Sequence, residues 1–103
     1  MSVSATYAVI YSYIDDDELR EKTRPAHREY LQGLAEEGAL LVAGAWAPSE
    51  PAGGLLIFRA PDKQTVEGYV DRDPYKTEGV LATCEIREWA PPLGPVAPAL
   101  NGE

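Results

Sequence analysis

The sequence predicts an α+β domain whose strands and helices follow one another in the order β-α-β-β-α-β. Three observations lead to this fold class. Four segments are rich in β-branched, aromatic or aliphatic residues, two segments between them place apolar residues at helical spacing, and clusters of Gly, Pro and Asp separate them. The order is that of the ferredoxin-like fold, a four-stranded antiparallel sheet with both helices on one face.

The length of 103 residues allows one domain with its own core. We place this domain at residues 1–90 and assign residues 91–103 to a C-terminal tail. Four of the tail residues are proline: Pro91, Pro92, Pro95 and Pro98. Because proline cannot donate a hydrogen bond to a neighbouring strand, the tail cannot join the sheet interior, and we expect an extended or disordered arm.

The first strand is predicted over residues 5–14, a run without Gly or Pro. Both of its faces are largely apolar, with Tyr7, Val9, Tyr11 and Tyr13 on one and Ala8, Ile10 and Ile14 on the other. A strand that is apolar on both faces is normally covered on both. Since two helices cover only one face of the sheet, we expect a homodimer that packs through the other face.

The first helix is predicted to begin at Pro25, because proline suits the first helical position and disfavours helix at the residue before it. The acidic run Asp15–Asp17 is expected in the connection before it, which has room for a helical turn. Apolar residues follow at helical spacing: Ala26, Tyr30, Leu31, Leu34 and Ala35. Gly38 is placed to end the helix.

The remaining strands are predicted at residues 40–46, 55–59 and 80–89. The segment 48–54, dense in Pro, Gly and Ser, joins the second strand to the third. Asp62 is placed to cap the second helix. Asp73 and Pro74 begin a further short turn, and Gly79 ends it.

The formal net charge of −8 argues against nucleic acid and anionic membranes as partners, since both carry negative charge. No apolar run approaches the roughly 20 residues needed to span a bilayer. The segment Met1–Ala5 lacks the basic residues of a signal peptide. One cysteine, Cys84, cannot form an internal disulfide. We therefore expect a cytoplasmic protein.

The only histidine, His27, lies among apolar neighbours on the predicted first helix. Imidazole changes its charge near neutral pH, which makes His27 a candidate general base. Asp73 is the candidate partner that would orient the ring. The helix terminus would favour the neutral imidazole and the carboxylate the protonated one. A packed core histidine and a helix-capping aspartate are the alternative roles of these two residues.

Four further residues are candidates for binding the substrate: Arg24, Tyr30, Trp46 and Tyr75. Packing or solvent exposure is the alternative for each of them. Arg24 and Arg28 can attract an anionic substrate, whereas Tyr7, Tyr11 and Tyr13 are expected to pack on the sheet. No cofactor and no metal is predicted, because a lone histidine without cysteines makes a weak zinc site. The set His27, Glu29 and Asp73 is the alternative that would hold an ion.

Two segments resemble the YciI-like (YCII-related domain) family of the dimeric α/β-barrel superfamily. The first is Arg24-Pro25-Ala26-His27 with residues 34–38 and 41–44 after it, and the second is Asp71-Arg72-Asp73-Pro74-Tyr75 with residues 78–80 after it. The resemblance implies a dimeric ferredoxin-like fold with a cleft centred on a histidine and an aspartate, which by motif position are His27 and Asp73. The wider group is associated with small-molecule lyase or dehydrochlorinase-type chemistry.

The predicted function is a small cofactor-independent lyase or isomerase of dehydrochlorinase-like type. It would use His27 and Asp73 as an acid/base pair on a small organic substrate. The main alternative is a non-catalytic small-ligand-binding or interaction module of the same fold. A third alternative, a monooxygenase or haem-handling protein of this fold class, leaves the segment Asp73-Pro74-Tyr75 without a role.

Overall fold

The computed structural model describes residues 4–90 and 93–103, so the predictions for residues 1–3 and for Pro91 and Pro92 lie outside the described residues. The elements are β1 (Ala5–Tyr13), α1 (Asp17–Glu36), β2 (Leu40–Ala45), β3 (Gly53–Ala60), α2 (Lys63–Asp71), α3 (Pro74–Thr77), β4 (Leu81–Glu88) and α4 (Ala97–Leu100). The predicted β-α-β-β-α-β order is confirmed, with the short helices α3 and α4 added to it. None of the described helices is long and apolar enough to cross a membrane.

The four strands form one antiparallel sheet in the order β2-β3-β1-β4, which confirms the ferredoxin-like arrangement. Strand β1 lies in the interior of the sheet, and its Val9 is opposite Leu56 of β3 and Ile86 of β4. At the edge, Ala43 of β2 pairs with Leu56. Because directly paired residues point to the same side, this register sets which side chains face the helices.

The hydrophobic core lies between the sheet and helices α1 and α2. Its members are Tyr7, Val9, Tyr11, Leu31, Leu34, Leu40, Leu56, Phe58, Ala60, Val66 and Val70. On β1 these are alternate residues, so Ala8 and Ile10 point to the opposite face, where both are half-buried. The two-sided apolar pattern of β1 therefore corresponds to one face packed against the helices and one open face.

Helix α1 begins at Asp17 and not at Pro25, so the predicted helix start was wrong. Asp16 is the N-cap, and its Oδ1 accepts a hydrogen bond from the Leu19 N–H at 3.0 Å. Pro25 lies inside the helix on its exposed side, where water can bond the carbonyl that proline leaves without a donor. His27 is consequently far from the helix start, and the expected effect of the helix terminus on its imidazole does not apply.

The predicted helix ends and caps are confirmed. Gly38 has φ +83°, and its N–H bonds the Ala35 carbonyl at 3.0 Å while the Ala39 N–H bonds the Leu34 carbonyl at 3.0 Å. This pair of bonds is a Schellman motif, which satisfies the last carbonyls of α1. At the start of α2, Asp62 Oδ1 accepts from the Thr65 N–H at 2.8 Å.

The C-terminal segment folds back onto the sheet, so the expectation of an extended or disordered arm was wrong for residues 97–100. These residues form α4, and the Leu100 carbonyl accepts a hydrogen bond from the Thr6 hydroxyl. The Arg59 guanidinium donates to the same hydroxyl at 2.9 Å. Thr6 and the core residue Tyr7 are neighbours on β1, so their side chains point to opposite faces of the sheet. Helix α4, which contacts Thr6, therefore lies on the face opposite α1 and α2.

Candidate active site

A buried carboxylate lies at the centre of the site. The Asp73 side chain is 1% exposed and accepts hydrogen bonds at both oxygens. Oδ1 lies 2.7 Å from His27 Nδ1 and accepts from the Tyr75 N–H at 3.0 Å, while Oδ2 accepts from the Tyr11 hydroxyl at 2.8 Å. Asp73 is therefore both the N-cap of α3 and the partner of His27, two roles that the sequence left as alternatives.

Packing of α3 against α1 brings this pair together. His27 lies on the buried face of α1 with Thr23, Leu31 and Leu34. Asp73 follows the end of α2, where its own N–H bonds the Val70 carbonyl at 3.0 Å. The turn between α2 and α3 thus directs the carboxylate toward the middle of α1.

The hydrogen bonds assign the tautomer of His27. An ionised carboxylate only accepts hydrogen bonds, so Nδ1 carries the proton and donates it to Asp73. Among the described residues, each side-chain nitrogen or oxygen that is fully buried has a hydrogen-bond partner. Nε2 of His27 has no such partner, so it is not one of the fully buried atoms. Nε2 is therefore solvent-accessible and, in the neutral ring, is a proton acceptor.

Two aromatic rings hold the imidazole in place. Tyr75 stacks on His27 with ring centroids 3.7 Å apart and planes 2° from parallel. Tyr13 meets Tyr75 edge-on, at a centroid distance of 5.2 Å and an interplanar angle of 77°. With Asp73 on Nδ1 and Tyr75 on its face, the ring has little freedom to rotate, which is what a positioned base requires.

The hydroxyls of Tyr11 and Tyr13 stay protonated at neutral pH. Burial, followed by the neighbouring Tyr75 and Asp73, raises the pKa of Tyr13 to about 12, and Arg20 and Arg24 partly oppose this effect. Burial and then the Asp73 carboxylate also raise the pKa of Tyr11. Tyr11 is therefore a permanent donor to Asp73, and Tyr13 presents a neutral hydroxyl.

A cleft of about 200 Å³ opens beside His27. Its lining residues come from α1, from the sheet and from α3: Tyr13, Arg20, Arg24, His27, Arg28, Leu31, Ala43, Gly44, Ala45, Gly54, Leu56 and Tyr75. The α1 wall carries three arginines, whereas the β2 wall has only Ala and Gly. The cleft therefore combines a cationic side, a proton acceptor and a wall without bulky side chains.

Three of the predicted site residues line this cleft, Arg24, His27 and Tyr75, and a fourth, Asp73, is buried behind His27 and bonds its Nδ1. The structure places the other two outside the lining. The Tyr30 hydroxyl donates to the Tyr69 carbonyl at 2.6 Å, which ties α1 to α2. Trp46 follows β2 and lies over Gly53, where an added Cβ would be 2.9 Å from its indole Nε1.

Sequence reasoning missed Tyr11 and Tyr13, which were expected to do no more than pack on the sheet. The signal that would have found Tyr11 is its register with Val9 on the covered face, because a buried tyrosine hydroxyl needs a hydrogen-bond partner. Among residues 4–90 and 93–103, no three His, Cys, Asp or Glu side chains converge as metal ligands, which removes the alternative set with Glu29.

The sequence model of the YCII-related domain matches residues 6–90. The chain belongs to the YCII-related domain family. Two relatives of this YCII-related protein are the proteins named YciI from Escherichia coli O6:H1 and Shigella flexneri. Each is 32% identical to it over 89 residues, an alignment that covers 77% of this chain and 91% of theirs. The resemblance of the two sequence segments to this family is thus confirmed.

Solved structures share the fold of this YCII-related protein. The 5-chloro-2-hydroxyhydroquinone dehydrochlorinase TftG from Burkholderia phenoliruptrix, in complex with 2,5-dihydroxybenzoquinone, superposes with a TM-score of 0.74 at 20% identity, covering 82% of this chain and 93% of that one. A dimeric ferredoxin-like protein of unknown function from Bacteroides fragilis gives 0.54 at 12% identity, covering 84% and 94%. At these identities the likeness shows the fold alone.

Proposed function

We propose that this YCII-related protein is a cofactor-independent lyase or isomerase that acts on a small organic substrate. His27 Nε2 is the general base, and Asp73 positions it. The observation that carries the proposal is the buried hydrogen-bond chain from the Tyr11 hydroxyl through Asp73 to His27 Nδ1, which leaves Nε2 accessible beside the cleft.

The chemistry follows from the direction of the hydrogen bonds. Nε2 takes a proton from a substrate carbon or hydroxyl, and the imidazolium that forms is stabilised by the Asp73 carboxylate on Nδ1. The electron pair of the broken bond stays on the substrate. In one outcome this pair forms a double bond and expels a leaving group such as chloride, and the imidazolium then releases its proton to water. In the other outcome the imidazolium returns the proton to a different atom of the substrate. The first outcome is an elimination and the second is an isomerisation.

The comparison with TftG supports the reaction class. That protein is a 5-chloro-2-hydroxyhydroquinone dehydrochlorinase, and its structure holds 2,5-dihydroxybenzoquinone. A dehydrochlorination is an elimination that a positioned base can start. The same fold with an oriented imidazole in this chain supports an elimination here, on a substrate that the fold does not specify.

A non-catalytic ligand-binding module is the second candidate. The observation in its favour is the cleft of about 200 Å³, which suits a small metabolite and whose arginine and tyrosine side chains can bind a ligand without reacting. The two candidates differ in what leaves the site. An enzyme releases a changed molecule, whereas a binding module returns the ligand unchanged.

The test uses 5-chloro-2-hydroxyhydroquinone as a first probe, with chloride release followed by an ion-selective electrode under argon. We expect turnover by the natural chain and a fall of about 10²–10⁴-fold in His27→Gln, since that is the contribution of a general base. Glu29→Gln, an exposed change on the same helix, is the control and retains the activity.

Two results would contradict this proposal. One is a His27→Gln variant that folds and releases chloride at the natural rate. The other is a natural chain that binds the probe, returns it unchanged and shows no base-catalysed exchange of its ring hydrogens with deuterated solvent. The second result favours the binding module.

We also propose that the protein is a homodimer that takes a small molecule in each cleft. The dimeric ferredoxin-like neighbour and the neighbour solved with a quinone support both parts. The cytoplasmic location and the exclusion of nucleic acid and membrane as partners stay predictions from the charge and the sequence.

A further inference from the structure

We propose that the cleft selects small organic carboxylates, whose carboxylate group is bound by Arg24 and Arg28 next to His27. This inference names the substrate class of the same site, and it rests on the proposed function. Three features of the described residues carry it: the spacing of arginines on α1, their lack of partners within the chain, and the charge of the cleft against that of the whole protein.

The arginines form a row on α1. Arg20, Arg24 and Arg28 are four residues apart, which places them on one stripe of the helix, and all three line the cleft. Like charges at this spacing repel one another and destabilise a helix. A pattern that is unfavourable for the helix itself and that faces a cleft is expected at a functional site.

Two of the three guanidinium groups have no partner in the described part of the chain. Arg20 is occupied, because its Nη2 lies 2.8 Å from Asp17 Oδ1 and its guanidinium lies 5.6 Å from the centre of the Tyr13 ring. In residues 4–90 and 93–103, neither Arg24 nor Arg28 forms a side-chain hydrogen bond or a salt bridge. Their donors are therefore free for a ligand.

The cleft has the opposite charge to the protein. The chain carries a formal net charge of −8, yet the lining residues include three arginines and no Asp or Glu. The Asp73 carboxylate is buried behind His27 and already accepts three hydrogen bonds. A cationic cleft in an anionic surface concentrates small anions and leaves neutral analogues without this attraction.

The positions of Arg24 and His27 on α1 also place a bound carboxylate close to the general base. Arg24 and His27 are three residues apart, so their Cβ atoms are about 5–6 Å apart on one face of the helix. A planar guanidinium binds a carboxylate through two parallel hydrogen bonds. A substrate held in this way presents the carbons near its carboxylate to Nε2. The same arginines stabilise the negative charge that develops on the substrate as its proton leaves.

Benzoate and benzamide are suitable probes, because they have nearly the same shape and differ in charge. The sole histidine makes the His27 Hε1 proton a clean NMR reporter of the cleft at constant pH. We expect benzoate to shift this resonance in a saturable way with a dissociation constant in the millimolar range, and benzamide to leave it unmoved. Equal shifts by both probes, or no saturable shift by benzoate, would overturn the carboxylate assignment.

Substitutions of Arg24 and Arg28 test whether these two side chains bind the carboxylate. Arg24→Gln and Arg28→Gln are each expected to weaken benzoate binding by about tenfold, since each removes a charge-assisted hydrogen-bond pair. Arg24→Lys is expected to fall between these and the natural chain. Lys22→Gln makes the same change of net charge on an exposed position of α1 and is expected to bind benzoate normally. An equal loss in Lys22→Gln would indicate a general charge effect and reject the site.

The failure of this inference is distinguishable from that of the proposed function. His27→Gln is expected to keep its affinity for benzoate, measured by calorimetry, while it loses chloride release from the chlorinated probe. That probe has no carboxylate and is a poorer ligand of the arginine pair, so its turnover reports on the base and not on the arginines. Normal benzoate binding in the arginine variants would reject the carboxylate site and leave the general base untouched. Chloride release that survives in His27→Gln would reject the base, whatever the arginine variants do.

Discussion

The hydrogen bonds that Asp73 accepts explain why the side chains of the site have a single arrangement. A buried carboxylate is costly unless its oxygens are fully hydrogen-bonded. Here the Tyr11 hydroxyl, the Tyr75 N–H and His27 Nδ1 together satisfy it. Each hydrogen bond to a charged group contributes about 1.5–3 kcal/mol, so these contacts stabilise the fold and orient the imidazole at once.

We predict that Asp73→Asn switches the tautomer of His27. The amide can donate its N–H to Nδ1, which moves the ring proton to Nε2 and removes the proton acceptor from the cleft. Nitrogen-15 NMR of the sole imidazole distinguishes the two tautomers directly, a change that a purely structural role of Asp73 would not produce. Stability is expected to fall by about 1–3 kcal/mol.

The matched control for this prediction is Asp71→Asn, which removes the same charge from an exposed position two residues earlier. It should leave the tautomer as it is. If the imidazole proton of His27 already lies on Nε2 in the natural protein, the assignment of Asp73 as the positioning residue is contradicted.

At the scale of elements, β1 and β3 approach closely at the site. Gly53 of β3 lies opposite Ser12 of β1, and an added Cβ would clash with the Tyr11 carbonyl oxygen and lie 2.9 Å from Trp46 Nε1. The Tyr11 carbonyl belongs to the backbone of the interior strand β1 and cannot rotate away as a side chain can. The glycine therefore permits the close approach of β3 to the backbone of β1 at Tyr11.

We predict that Gly53→Ala destabilises the protein by about 1–3 kcal/mol, because the backbone of β1 has to move to remove the clash. Gly33→Ala on α1 is the control: a Cβ there meets nothing within 4 Å, and alanine in a helix is more stable than glycine by about 0.5–1 kcal/mol. Urea unfolding of both variants gives the two free energies. Equal stability of Gly53→Ala and the natural chain would show that the close approach is not required.

For the whole molecule, the open face of the sheet is the surface through which we expect two copies to pack. Helices α1 and α2 cover one face, and α4 covers the other only near Thr6 and Arg59. Part of the remaining face forms a shallow depression of about 350 Å³ with a mostly apolar lining: Ala8, Ile10, Leu55, Ile57, Arg87, Glu88 and Trp89. An apolar surface of this kind is typical of a protein–protein interface.

We predict that the protein sediments as a dimer at micromolar concentration and that Ile10→Glu converts it to a monomer. A carboxylate in the centre of the apolar face would be buried without a partner in the dimer. Ala26→Glu, on the exposed side of α1, adds the same charge and is expected to stay dimeric. A natural chain that sediments as a monomer would contradict the packing of sheet on sheet.

Local interactions explain how much of this molecule was predictable from its sequence. The element order follows from hydrophobic periodicity, and the ends at Gly38, Asp62 and Asp73 follow from capping, which acts over a few residues. The start of α1 was mispredicted, because the local penalty of Pro25 is outweighed by packing of Thr23 and His27 against the core. The α4 contact with the sheet was missed for the same reason, since it joins distant parts of the chain.

The sequence by itself determined the fold class, the family and the two residues that form the centre of the site. Only the tertiary structure decided that they meet: His27 and Asp73 are 46 residues apart, and Tyr11 and Asp73 are 62 apart. It also decided that Arg24 and Arg28 face the cleft and that Tyr30 and Trp46 do not line it. The physical reason is that periodicity and capping depend on near neighbours, whereas the packing of α3 on α1 places side chains from distant segments at one point.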